Sequence, residues 1–91
     1  MLSLYTAYDV QQDLMRYIQH IRKNNKMGVE ALAKKSGVPY STIRKFESTG
    51  NISLRQFLML LEALGELNAI RELTKQKVRE PTSIEEVLKN A

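Results

Sequence analysis

The sequence predicts an all-α fold, and three observations carry that prediction. Apolar residues recur through most of the chain at the spacing of one helix face. Glycine stands only at positions 28, 37, 50 and 65 and proline only at 39 and 81, so the helix breakers divide the chain into short segments. Several of these segments open on a residue suited to cap a helix. The expected organisation is an N-terminal arm over residues 1–8, a five-helix domain over 9–75, and a short helical extension over 76–91.

Ninety-one residues, 43% of them hydrophobic, suffice for one domain with a core and argue against disorder by composition. The net charge is +4. Residues 1–27 carry four basic and two acidic groups, residues 28–56 five and two, and residues 57–91 five and six. The positive excess therefore lies in the first two thirds, which mildly favours a polyanionic partner. The absence of cysteine excludes disulfides and thiolate chemistry and suits a reducing cytoplasm. The opening MLSLYTAYDV has neither a basic region nor a long apolar run, so no secretory signal is expected. The longest apolar run, Phe57–Leu61, is far below the ~18 residues of a membrane span.

Residues 1–8 alternate loosely and fit an arm, an edge strand or a frayed end. The first helix is expected from about Val10 to Asn24, with Asp9 as N-cap, Gln12 three residues on, and Val10, Leu14, Ile18 and Ile21 as its apolar stripe, Tyr17 beside them. The second, about Val29–Lys35, follows Gly28 as N-cap and stops at Gly37, a natural residue past a helix end. The third starts after Pro39, whose fixed φ suits a first turn, and runs to about Ser48, with Thr49, Gly50 and Asn51 as the loop. Its inward residues are Ile43 and Phe46, and its outward ones Tyr40, Ser41, Arg44, Lys45 and Ser48. The fourth opens with Ser53 and Gln56 as a capping box and Ile52 with Phe57 as a hydrophobic staple. Leu54, Phe57, Leu58, Leu61 and Leu64 are its expected core face, and Gly65 ends it. The fifth spans about Glu66–Lys75 with Leu67, Ile70 and Leu73 inward. Past Pro81, Thr82 or Ser83 caps a last short helix bearing Ile84, Val87 and Leu88.

The stretch VEALAKKSGVPYSTIRKFE, Val29–Glu47, is the most informative. Leu32 and Ala33 lie on the second helix, where Ala33 permits close approach of the third, and Gly37 makes the turn. Val38, Ile43 and Phe46 fasten the third helix to the core and leave its other face free. This spacing suits a helix-turn-helix that offers one helix to the DNA major groove, and it also suits an ordinary αα-hairpin.

With the upstream residues included, IQHIRKNNKMGVEALAKKSGVPYSTIRKFE resembles the first three helices of lambda-repressor-like (Cro/CI, or XRE-type) helix-turn-helix regulators. The resemblance covers about residues 14–65. It implies a five-helix lambda-repressor-like domain, a third helix that reads double-stranded DNA, and a homodimer acting as repressor on a palindromic operator. It places Tyr40, Ser41, Thr42, Arg44, Lys45, Ser48 and Thr49 at the DNA-facing positions. It also implies a pair between an arginine late in the first helix and a glutamate ending the third, matched by Arg22 and Glu47; on charge alone both are ordinary surface groups. One departure concerns the second helix, which such regulators often begin with Thr or Ser and then a phosphate-touching Gln. Here Gly28 and Val29 stand at those positions. The downstream pattern further resembles HipB-type antitoxins, which implies a toxin kinase as partner. The alternative function is accordingly a protein-interaction module.

Little in the sequence suits catalysis. His20 is the single histidine and lacks metal-ligand neighbours, there is no glycine-rich phosphate loop, and Glu85 and Glu86 are explained by capping. No cofactor, metal or enzymatic activity is expected.

Overall fold

A computed structural model describes residues 4–79. Five helices and, among the described residues, no strand make up the fold: α1 Ala7–Asn24, α2 Val29–Ser36, α3 Tyr40–Thr49, α4 Leu54–Ala63 and α5 Leu67–Arg79. The expected last helix with Ile84, Val87 and Leu88 lies outside the described residues.

α1 begins earlier than expected. Thr6, not Asp9, is its N-cap, and Asp9 is the third helical residue of a capping box. The Asp9 N–H donates to Thr6 Oγ1 and the Thr6 N–H to Asp9 Oδ2, each at 3.1 Å. Two otherwise orphaned amides are satisfied reciprocally, which Asp9 alone could not do. Residues 7 and 8, expected in the arm, are therefore helical. The predicted stripe holds in the second half of the helix, where Ile18 is buried and Ile21 packs against the core, and fails in the first half. Met15, Ile18 and Arg22 are buried, whereas Val10 is 46% and Leu14 37% exposed. The helix ends in a Schellman-type turn with Lys26 at φ 54 and the Met27 N–H on the Arg22 carbonyl at 3.1 Å.

α2 and α3 each end on a left-handed glycine, Gly37 at φ 82 and Gly50 at φ 84. Ser53 caps α4 by accepting the Gln56 N–H at 3.1 Å, and its hydroxyl donates to Gln56 Oε1 at 3.2 Å. The expected capping box is thus half formed, because the Gln56 side chain bonds the Ser53 hydroxyl. Leu54, in the first turn of α4, is 71% exposed at the core's rim, while Leu60, left out of the predicted face, is fully buried.

The core is Ile18 from α1, Leu32 from α2, Val38 from the turn, Ile43 and Phe46 from α3, and Leu60 with Phe57, Leu61 and Leu64 from α4. Phe46 and Phe57 meet edge to face with ring centroids 6.1 Å apart, a geometry worth ~0.5–1.5 kcal/mol beyond burial. α2 packs on α3 and α4, and α1 on α3, so α3 is held from two sides. α5 leans on α4 through half-buried Leu67 and Ile70. Leu73, expected inward, is 61% exposed because α5 continues past the bundle. Leu14, Tyr17, Leu61, Ile70 and Leu73 line an apolar groove of about 200 Å³ between α1, α4 and α5. At its edge Tyr17 donates a hydrogen bond to the Glu66 carboxylate. That bond, then burial and the negative charge, hold the phenol above its usual pKa.

Candidate nucleic-acid interface

Two clamps fix α3 on the bundle. Arg22 and Glu47 form a bidentate ion pair, Nε to Oε2 at 2.7 Å and Nη2 to Oε1 at 2.8 Å. Both side chains are 9% exposed. The third guanidinium nitrogen donates to the Met27 carbonyl at 2.9 Å, and Gln19 adds a donor to Glu47 at 3.2 Å. Every buried side-chain nitrogen and oxygen among the described residues has a partner. A pair so satisfied escapes the penalty of a bare buried charge.

The second clamp holds the end of α3 and is the part of the site that the sequence reading missed. Gln11 Nε2 donates to the Gly50 carbonyl at 2.6 Å and to Asn51 Oδ1 at 3.1 Å. Gln12 Nε2 donates to the Thr49 carbonyl at 3.0 Å. Two of the carbonyls left without helical partners at the end of α3, those of Thr49 and Gly50, are thereby satisfied. Gln12, expected in a cap with Asp9, belongs here. The one available signal was a pair of glutamines beside the core stripe of α1. Gly50 sits at φ 84, which disfavours a side chain, and a Cβ there would also stand 2.5 Å from Gln12 Nε2 and push that amide off its bond.

The turn places Leu32 in the core and Ala33 half-buried against it, with Gly37 left-handed and Val38 buried. The Ser36 hydroxyl accepts the Val38 N–H at 3.0 Å. Ile43 and Phe46 point inward. The opposite face of α3 exposes Tyr40, Ser41, Arg44, Lys45 and Ser48, while Thr42 is half-buried. Thr49 lies within the helix, not in the loop. Its hydroxyl donates to the Lys45 carbonyl at 2.7 Å and accepts the Asn51 N–H at 3.0 Å, so it closes the helix end. Ser48 donates to the same carbonyl at 3.1 Å.

α3 stands as a ridge between two open clefts. One, of about 560 Å³, is lined by Gln19, Arg22, Lys23, Val29, Arg44, Lys45, Glu47 and Ser48. The other, of about 410 Å³, is lined by Ser41, Thr42, Lys45, Asn51, Ile52 and Gln56. Lys45 borders both. Among the described residues no carboxylate pairs with Lys23, Arg44 or Lys45, the ion pairs being Arg16–Asp13, Arg22–Glu47 and Lys75–Glu72. A convex helix with unneutralised cations, flanked by grooves, has the shape and sign that a duplex requires.

A model of the helix-turn-helix family matches residues 18–68, from the middle of α1 to the start of α5. The chain belongs to the helix-turn-helix family. It is thus an XRE-like, DNA-binding transcription regulator. No curated protein and no solved structure matches the chain. Among the described residues there is no helix long and apolar enough to cross a membrane and no cluster of three or more potential metal ligands.

Proposed function

We propose that this helix-turn-helix protein is a homodimeric repressor that lays α3 in the major groove of a palindromic operator. The observation that carries the reading is the contrast between the two faces of α3. One face is locked by the Arg22–Glu47 pair and the glutamine clamp, while the other offers Tyr40, Ser41, Arg44 and Lys45 without acidic partners. Ser41, Arg44 and Lys45 have the donors that base edges accept, at ~1–3 kcal/mol of discrimination per good contact. The two clefts take the sugar-phosphate strands that border the groove. Lys23 and the free N–H groups of α2 behind Gly28, which has no side-chain cap, serve one strand. Asn51 and Gln56, with half-buried Thr42, serve the other. Thr49 we assign to helix closure, and Ser48 to the rim of the first cleft. The work is cytoplasmic, where such an operator lies.

A palindrome requires a second copy. We place the dimer contact largely after Gly65, on α5 and the groove it forms with α1, where Leu73 is exposed and Leu14 and Tyr17 leave further apolar surface uncovered. The same surface is what favours the second reading, a module whose main task is to hold another protein such as a toxin kinase. Titrating the duplex upstream of its own gene against a scrambled duplex separates the two. The repressor reading expects preference for the upstream duplex of about a thousandfold or more. Equal, weak binding to both, with a stable complex on co-expression with the adjacent gene product, would favour the module.

A further inference from the structure

Tyr40 and Arg44 are linked on the exposed face of α3. Arg44 Nη1 donates to the Tyr40 hydroxyl at 3.1 Å, and the guanidinium carbon lies 5.8 Å from the centre of the Tyr40 ring. We propose that Tyr40 is a positioning residue, holding the Arg44 guanidinium in the orientation in which it meets DNA. This rests on the reading of the outward face of α3 as the DNA interface.

Three features support the assignment. Tyr40 is the first residue of α3, directly after Pro39 at φ −58, so its backbone is held by the helix start. Arg44 sits one turn later, and long helical side chains lean back toward the N-terminus, which directs its guanidinium over the tyrosine. Nor does a carboxylate compete for it: Glu47, three residues on, already accepts from Arg22 and Gln19. The contact uses one guanidinium N–H and leaves the others of its fork for a base edge or phosphate. An exposed arginine otherwise gives up rotamer entropy in any contact, and a side chain ordered in advance loses less of it on binding. Lys45, beside it, has no such partner among the described residues, so the two cations differ. One is aimed and the other adapts.

A double-mutant cycle on a duplex that the wild type selects from a random library tests the proposal. Tyr40→Phe should lower affinity about fivefold while Arg44 is present, the loss expected for one hydrogen bond. It should lower it not at all in an Arg44→Ala background, and the melting temperature should not move in either. An equal loss in both backgrounds would mean that Tyr40 touches DNA itself, and no loss in either would mean that the link is idle. Each overturns the proposal. A readout without DNA separates this failure from that of the interface. In the free protein the Arg44 side chain should be ordered, with an Nε relaxation order parameter that Tyr40→Phe lowers toward that of a free surface arginine. An Arg44 side chain equally mobile in both proteins overturns the positioning role and leaves the interface standing. Undiminished binding by Arg44→Ala alone, with the ordering present in the wild type, overturns the interface reading and the proposal with it.

Discussion

Arg22 and Glu47 stand 25 residues apart and meet as a bidentate pair under the cleft beside α3. Glu47→Ala would leave the guanidinium buried beside the Met27 carbonyl without its counter-charge, and should cost about 3–5 kcal/mol in denaturant unfolding. A domain of ordinary stability has ~5–15 kcal/mol in all, so the variant should sit near its unfolding threshold. Replacing both partners by apolar residues, Arg22→Met with Glu47→Leu, should cost much less. Equal costs for the single and double variants would show that the pair is not what holds α3. Gly50→Ala should also destabilise, by about 1–3 kcal/mol, from φ 84 and the approach of Gln12. Adding Gln12→Ala should recover only the part due to crowding. The Arg22–Glu47 match came from the resemblance, since charge patterning alone cannot join residues so far apart. The glutamine clamp was not legible at all. Neutral amides carry no periodic signature, and their partners here are backbone carbonyls that any sequence possesses.

Among the elements, α1 shows why the number and type of helices were legible while a helix phase was only partly so: Ile18 and Ile21 face the core as expected, Val10 and Leu14 do not. It bears two neighbouring stripes. Val10, Leu14 and Tyr17 are the more apolar set, but Gln11, Met15, Ile18 and Arg22 form the face turned to the bundle. Polar residues that satisfy buried partners make the true inward stripe look hydrophilic, and the groove beside α5 explains the other. Turn chemistry was read more securely, because Gly37, Gly50 and Gly65 all have positive φ. Lys26 is the exception, a left-handed non-glycine at φ 54. That conformation costs a side-chain-bearing residue ~1–2 kcal/mol, and the greater unfolded freedom of glycine offsets ~0.5–1 of it. Lys26→Gly should therefore stabilise by about 0.5–1 kcal/mol, measured as an upward shift of the denaturant midpoint. Ser53→Ala should cost about 1 kcal/mol, the ordinary worth of an N-cap, since Ser53 satisfies the Gln56 amide.

At the scale of the whole molecule, charge and shape act together. Lys23, Arg44 and Lys45 line the clefts beside α3 with no acidic partner among the described residues, and on the proposed reading they contribute to the salt response. Lys23→Ala should weaken binding to all duplexes alike and reduce the slope of log affinity against log salt by about 1. Arg44→Ala should instead flatten the preference between sequences. A dimer at micromolar concentration is expected from the apolar surface near Leu73, and a monomeric solution mass would contradict it. The central claim is that the outward face of α3 reads the operator while the rest of the bundle holds it still. The most direct test is a titration of the duplex upstream of its own gene with Arg44→Ala/Lys45→Ala, beside a melting curve of the same variant. The predicted result is an unchanged melting temperature with specific binding reduced to the level of scrambled DNA. Wild-type affinity in the folded double variant would contradict it.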